Sequence, residues 1–186
     1  MENQRNIHGV KVFLAMKEAP LNNLFKKELE EIYNAEIQLL QLFPEIIKST
    51  SYHPLRWIME EHNDISEVHL LRLKEIFNLL NIKKPEKFIC LPVKSLSEAC
   101  RKVIKSDLDD ASKDLAIASL IHKIEHFEMA AYNGLKTYSK ILGYTDISDL
   151  LQATFEEEQG FDQKITALTE ENITITSNTE YIALNN

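Results

Sequence analysis

Glycine and proline are scarce in this chain, which has four glycines and five prolines among 186 residues. Both residue types interrupt regular secondary structure, so their scarcity favours a few long elements. Hydrophobic residues make up 44% of the chain and charged residues 27%. That composition supplies enough apolar material for one domain with a buried core.

Cysteine, net positive charge and long apolar runs are also lacking. Cys90 and Cys100 are too far apart for a redox pair and too few for a zinc cage, so we expect structural roles. The net charge of -8 argues against nucleic acid or an anionic membrane surface as partner, because both need clustered Lys and Arg. The apolar runs are far shorter than the roughly 20 residues of a membrane span, and no secretory signal is visible. We therefore expect a cytoplasmic protein that binds neither nucleic acid nor membrane.

Apolar residues recur with a helical period along four long stretches of the chain. The connection between the second and third stretch is longer than the others, and Ser95 and Glu98 have the spacing of a capping box that opens a short helix there. The sequence predicts an all-α four-helix bundle of two helical hairpins with a short helix in the crossover. The predicted long helices run from residue 22 or 23 to about 48, from Pro54 to about 80, from the acidic stretch at 107–110 to near Gly143, and from residue 145 or 146 to about 169.

The two ends of the chain lie outside this predicted bundle. Pro20 interrupts the N-terminal segment, and Asn22 or Asn23 can cap the first long helix. The segment before it is either a mobile arm or a short helix across the body. The last residues alternate β-branched and polar side chains without a partner strand, which indicates an extended or disordered tail. The predicted organisation is an arm at 1–22, the bundle at 23–170 and a tail at 171–186.

Acidic residues occupy the middle of the predicted apolar stripes. Helical projection places Glu36, Glu128 and Glu158 centrally on the first, third and fourth long helices, and His62 on the inner face of the second. An unpaired ionised acid removed from water costs many kcal/mol, so it must be neutralised, paired or bound to a metal ion.

These inward residues also lie at matching depths along their predicted helices, so antiparallel neighbours can bring them together. Converging carboxylates and imidazoles are typical of di-iron or di-manganese sites. We expect Glu36, Glu128 and Glu158 as the main metal ligands and His62 as a nitrogen donor. Two further acids near the stripe edges are expected to be auxiliary groups that orient the ligands. They are Glu125 and Asp162.

Other histidines receive a simpler interpretation. His69 shares the inner face with His62, but seven residues, or about two turns, separate them. Both can face one core but not easily one ion, so we interpret His69 as a hydrogen-bonded core residue. His122, His126 and Glu67 are expected in solvent.

Two tyrosines lie close to the central acids along their helices: Tyr33 near Glu36, and Tyr132 near Glu128. The simpler interpretation is an aromatic core filler with a polar tip. If iron is bound, either tyrosine could instead donate a hydrogen bond or take part in one-electron chemistry.

Four segments carry a resemblance to a known family: LFKKELEEIYNAEIQL at 24–39, Glu61-His62 followed by Arg72-Leu73, KIEHFEMAAYNGL at 123–135 and EEQGFDQKI at 157–165. They resemble bacterial ferritin-like stress proteins of the YciE/YciF type over residues 24–168. The resemblance implies a ferritin-like fold, a homodimer and an iron-binding or redox role in the stress response. The chain departs from the usual ferritin-like pattern because an inward Glu-x-x-His pair is missing from its second and fourth long helices.

Two functions of different classes follow. The first is a non-haem di-metal protein that binds two iron ions, or manganese, and reacts with dioxygen or peroxide as an oxidase or ferroxidase. The alternative is a metal-free ferritin-like bundle that acts as a dimeric interaction or structural stress module. A hydrolase or nucleotide-binding enzyme is disfavoured because the sequence contains no phosphate-binding glycine loop, Gly-x-Ser-x-Gly elbow or His-Glu-x-x-His motif.

Overall fold

Five helices make up the described part of the chain in a computed structural model. The structure describes the backbone of residues 2–85 and 89–184 and the side chains of residues 19–85 and 89–170. The helices are α1 (Glu2–Ser49), α2 (His53–Leu79), α3 (Leu91–Ile104), α4 (Asp110–Ile141) and α5 (Thr145–Leu184). Every regular element of the described backbone is helical, which confirms the all-α prediction.

The four long helices pack around one apolar core. α1 contacts α2 and α4, and α5 contacts α4 and α2, while α3 lies against α1 and α4. Each long helix turns its apolar stripe inward, and the largest fully buried side chains include Phe25, Phe43, Phe77, Leu29 and Tyr132. The same inward stripes carry the acidic residues and histidines into the core.

Several predicted helix ends agree with the structure. Pro54 lies in the first turn of α2, where its missing N–H costs no hydrogen bond. Asp109 caps α4, and its side chain accepts a hydrogen bond from the backbone N–H of Ser112. Gly143 follows the end of α4 with a φ of 77°, a left-handed conformation that favours glycine.

The predicted start of the first long helix is wrong. α1 begins at Glu2 and runs through Pro20, so neither Asn22 nor Asn23 is its N-cap. A proline inside a helix removes one hydrogen bond and bends the backbone, but the neighbouring turns can continue on both sides. α1 also continues through Pro44, which lies inside the predicted first helix.

The C-terminal segment and the crossover helix also differ from the predictions. α5 continues to Leu184, so the described tail is helical rather than extended. Alternating β-branched residues favour a strand only weakly, and a strand needs a partner for its backbone hydrogen bonds. A helix satisfies these hydrogen bonds within itself. α3 starts at Leu91 after Cys90, before the predicted capping box at Ser95, because Pro92 suits a first turn.

The side chains of residues 1–18 and 171–186 lie outside the described residues. The division of the chain into arm, bundle and tail therefore stays a prediction. Within the described residues, no helix combines the length and the apolar character needed to cross a membrane.

Both cysteines are free and fully buried, in agreement with structural roles. Burial raises the pKa of the Cys90 and Cys100 thiols to about 11. Since the thiolate is the reactive form, neither side chain is activated as a nucleophile at neutral pH.

Candidate metal centre

Six side chains of types that can ligate metal ions converge in the middle of the bundle. α1 and α5 each contribute one carboxylate, and α4 contributes two carboxylates at positions i and i+3. α2 contributes two histidines that are seven residues apart. Each spacing keeps the side chains of one helix on the same face. All six are at most 1% exposed. They are Glu36, His62, His69, Glu125, Glu128 and Glu158.

The six side chains form two groups that share one member. The His62 group contains His62, Glu125, Glu128 and Glu158, and the His69 group contains Glu36, His69 and Glu158. Within each group, one nitrogen or oxygen atom from every residue lies within 4.8 Å of all the others. Glu158 therefore connects the two groups.

The carboxylate of Glu158 lies between the two histidines. Its Oε1 atom is 3.0 Å from Nδ1 of His69, and its Oε2 atom is 4.0 Å from Nε2 of His62. Both oxygens are buried and neither is in hydrogen-bond geometry with a protein partner. Burial alone would raise the pKa of Glu158, but His69 and His62 outweigh it and hold that pKa below its usual value.

His69 is oriented by a hydrogen bond on the far side of its ring. Its Nε2 atom lies 2.9 Å from Oε2 of Glu157, and both oxygens of Glu157 are held by the guanidinium of Arg72. This arrangement turns Nδ1 toward the carboxylates, 3.4 Å from Oε1 of Glu36. Burial lowers the pKa of His69, but Glu158 and Glu36 outweigh it and raise that pKa to about 10. Without a metal ion, the space between these groups therefore holds a proton.

His62 is held by apolar contacts instead. Its ring stacks on Phe161 at 3.7 Å between centroids and meets the edge of Phe43 at 5.1 Å. Nε2 lies 3.4 Å from Oε1 of Glu125, and neither ring nitrogen forms a hydrogen bond. Burial lowers the pKa of His62 to about 4, so the imidazole is neutral and keeps a free lone pair.

The remaining acids of the centre hold protons more strongly than usual. Burial, followed by the charge of Glu158, raises the pKa of Glu125 and of Glu128 well above the ordinary value. Burial also raises the pKa of Glu36, although His69 partly opposes it. Both oxygens of Glu125 and Oε1 of Glu128 are buried without a hydrogen bond.

Tyr132 donates a hydrogen bond to Oε1 of Glu36, which is the donor role that the sequence left open. Burial raises the pKa of this tyrosine well above its usual value, so its hydroxyl keeps its proton. Tyr33 instead packs edge-on against Phe77, with ring centroids 5.3 Å apart, as an aromatic core filler would.

The donor set fits a pair of divalent ions. Four carboxylates and two imidazoles provide the hard oxygen and nitrogen ligands that iron(II) and manganese(II) accept in helical bundles. Two divalent cations would also balance the charge of four ionised carboxylates, which otherwise cannot all be ionised in an apolar core. Metal ligation would give these buried oxygens and nitrogens the partners that they lack.

The structure places five of the six residues predicted from the sequence in these two groups. They are Glu36, His62, Glu125, Glu128 and Glu158. Asp162 is not among them, because its Oδ1 atom lies 2.9 Å from Nδ1 of His122 in a third group that also contains His126. Glu67 is exposed, as expected.

His69 is the residue of the centre that sequence reasoning missed. The sequence does contain a signal for it, because His69 lies seven residues after His62 on the same face of α2. That separation was judged too long for two ligands of a single ion, and His69 was not assigned to a second ion. Each histidine in fact belongs to a different group, so the spacing is compatible with two ions. Glu157 is partly exposed and reaches His69 from the edge of the centre.

Comparison with known proteins gives a match over most of the chain. The family described as a domain of unknown function, DUF892, matches residues 20–177. Protein YciF of Escherichia coli strain K12 is 28% identical over 153 residues, which cover 82% of this chain and 92% of that protein. These matches confirm the resemblance seen in the sequence.

Solved structures support the same relationship. The crystal structure of the Escherichia coli stress protein YciF superposes with a TM-score of 0.79, covering 83% of this chain and 97% of that one. YcfI from Rhodopseudomonas palustris is 25% identical and superposes with a TM-score of 0.75, covering 78% of this chain and 92% of that one. A Xanthomonas campestris protein that is 15% identical shares the fold, with a TM-score of 0.65 over 87% of this chain and 99% of that one.

Proposed function

The chain belongs to the DUF892 family, whose description assigns no activity, and from its buried residues we propose that it binds two divalent ions, iron or manganese. The His62 group and the His69 group would each hold one ion. Glu158 would serve both, because each of its oxygens faces a different histidine.

The observation that carries this proposal is the number of buried polar atoms without a hydrogen bond. Both nitrogens of His62 and both oxygens of Glu125 and Glu158 are in this state. Each such atom costs about 1–3 kcal/mol, so native proteins leave few of them unexplained. Metal ligation supplies the missing partner for an imidazole lone pair and for a carboxylate oxygen.

The surrounding side chains would hold the ligands in place. Glu157 fixes the ring of His69 with Nδ1 facing inward, and Tyr132 holds one oxygen of Glu36. Phe161 and Phe43 fix the ring of His62 and exclude water from it. In known metal sites, loss of such a contact typically lowers metal affinity by about 10- to 100-fold.

Bound iron supplies one-electron chemistry with dioxygen or peroxide, which is the basis for proposing an oxidase or ferroxidase role. The Escherichia coli relative is described as a stress protein. We extend that role to this chain, where removal of an oxidant or of free iron(II) would be useful under oxidative stress.

The direct test is elemental analysis of protein purified without chelator and then loaded anaerobically with iron(II). We expect about two irons per chain, as in other di-iron bundles, and a new near-ultraviolet absorbance band after air is admitted. Chelation should lower the melting temperature. Absence of stoichiometric metal, together with a melting temperature that chelators do not change, would exclude the proposal.

A metal-free structural module is the second candidate. It is favoured by the short contacts of His69 with Glu158 and Glu36, which can form ion pairs without metal. The description of the Rhodopseudomonas palustris relative also proposes a structural role. Under this alternative Glu125→Gln should stabilise the purified protein, because it removes an acid that is costly to ionise. Under metal binding the same substitution should lower metal content.

A further inference from the structure

A third group of metal-binding side chains lies at the protein surface. His122 and His126 are one turn apart on α4, and Asp162 on α5 faces both of them. Oδ1 of Asp162 is 2.9 Å from Nδ1 of His122 and 3.5 Å from Nε2 of His126. We refer to His122, His126 and Asp162 as the surface triad.

The surface triad offers one ligand atom from each residue within 4.8 Å of the others, a spacing compatible with ligation of one ion. Ligands at about 2.0 Å from a tetrahedral metal lie roughly 3.3 Å from one another. Nδ1 of His122 and Oδ1 of Asp162 are close and buried, yet they are not in hydrogen-bond geometry with each other or with other protein atoms. The two imidazole rings, 4.5 Å apart between centroids, both present a nitrogen to the same carboxylate oxygen.

The surface triad is accessible, unlike the two core groups. The side chains of His122 and His126 are 39% and 59% exposed, and that of Asp162 is 16% exposed. Water can therefore approach an ion held there from the side of His126, the more exposed histidine, and complete its coordination. The surface triad shares no residue with either core group.

We propose that the surface triad binds one divalent transition-metal ion through two imidazoles and one carboxylate. Two histidines and one carboxylate with open positions form a ligand set used by zinc(II) and non-haem iron(II), and imidazole also suits copper(II). This site is independent of the proposed function, because none of its ligands is needed by the core groups.

The number of histidines distinguishes the surface triad from the core. Each core group contains one imidazole, whereas the surface triad contains two. Copper(II) is a suitable probe because it binds nitrogen ligands strongly among first-row divalent ions. Its electron paramagnetic resonance spectrum shows how many imidazole nitrogens are bound in the equatorial plane.

The experiment adds one equivalent of copper(II) to the full chain and records this spectrum. We expect a two-nitrogen pattern in the wild type and in the core variant Glu128→Gln/Glu158→Gln. The double variant His122→Ala/His126→Ala should lose the pattern and bind copper(II) at least about tenfold more weakly, since two of three ligands are gone. His53→Ala removes another exposed histidine and should leave the spectrum unchanged.

Either of two results would overturn the proposal: a wild-type spectrum without two bound nitrogens, or a two-nitrogen pattern that persists in His122→Ala/His126→Ala. Circular dichroism checks that the double variant is folded, and Asp162→Asn provides a milder variant that should weaken binding. A core that holds no iron would leave these outcomes unaffected, so the two proposals fail separately.

Discussion

Oε1 of Glu158 lies 3.0 Å from Nδ1 of His69 in a part of the core where neither side chain is exposed. The other oxygen of Glu158 faces His62, two helical turns away from His69 on α2. One carboxylate from α5 thus connects two histidines that a single ion could not easily reach together.

Replacing Glu158 should affect both core groups, whereas replacing Glu36 should affect one. Gln has almost the same size but no charge, so it ligates a cation poorly. We expect iron content to fall from about two per chain to well below one in Glu158→Gln and to about one in Glu36→Gln. Glu67→Gln, an exposed change on α2, serves as the control for elemental analysis. Equal iron content in Glu158→Gln and wild type would contradict the shared role of Glu158.

Arg72 should influence metal affinity without contacting the metal. Its guanidinium holds both oxygens of Glu157, and Glu157 in turn fixes the ring of His69. We expect Arg72→Ala to weaken iron(II) or manganese(II) binding by about tenfold, the lower end for contacts of this type. Competition with a chelator of known affinity measures the change.

The ion pair between Arg101 and Glu45 provides the matched control, because the same two residue types pair there on α3 and α1. Arg101→Ala should leave metal affinity unchanged. If both arginine variants weaken binding alike, the effect of Arg72 is a general loss of stability rather than orientation of His69.

The metal-free protein should become less stable as pH rises from 6.5 to 9. The pKa of His69 is about 10 in the folded protein and 6.5 in the unfolded chain, so its stabilisation is complete below 6.5 and declines above it. The raised pKa values of Glu125 and Glu128 act in the same direction, because the folded state retains protons that the unfolded chain has released. His62 opposes this trend only at the low end of the range, because the unfolded chain still protonates part of it near pH 6.5 whereas the folded imidazole, with a pKa of about 4, is neutral.

Urea denaturation in the presence of chelator at several pH values between 6.5 and 9 measures this dependence. Protein loaded with manganese(II) should not lose stability in the same way, because metal ions rather than protons then neutralise the acids. Glu125→Gln should reduce the slope of the metal-free protein. A metal-free stability that is constant or increases over this range would show that the assignment of these protons is wrong.

Asp114 should stabilise the turn between α1 and α2. Its buried carboxylate on α4 accepts hydrogen bonds from the backbone N–H groups of Ser51, at 3.2 Å, and Tyr52, at 2.7 Å. We expect Asp114→Ala to lower the free energy of unfolding by about 1–3 kcal/mol, since two backbone donors lose a charged, buried acceptor. Asp64→Ala, which changes an exposed acid on α2, should have an effect near zero. Urea denaturation compares the two, and similar losses would argue against an anchoring role for Asp114.

Much of the core centre follows from the sequence, because a helix of about 3.6 residues per turn determines which side chains share a face. Glu36, Glu128 and Glu158 lie in the middle of apolar stripes, and all three are buried as that position predicts. The same periodicity places His62 and His69 on one face of α2.

The ends of the helices and the grouping of the side chains were decided by the tertiary structure. α1 continues through Pro20 although the sequence indicates a break. Asp162 lies one turn from Glu158 and was expected beside it, but it faces His122 and His126 across the contact between α4 and α5. His69 joins Glu36 because of the position of α2 relative to α1. Periodicity determines the face of a helix on which a residue lies, whereas the shift and rotation of packed helices relative to one another determine which residues meet.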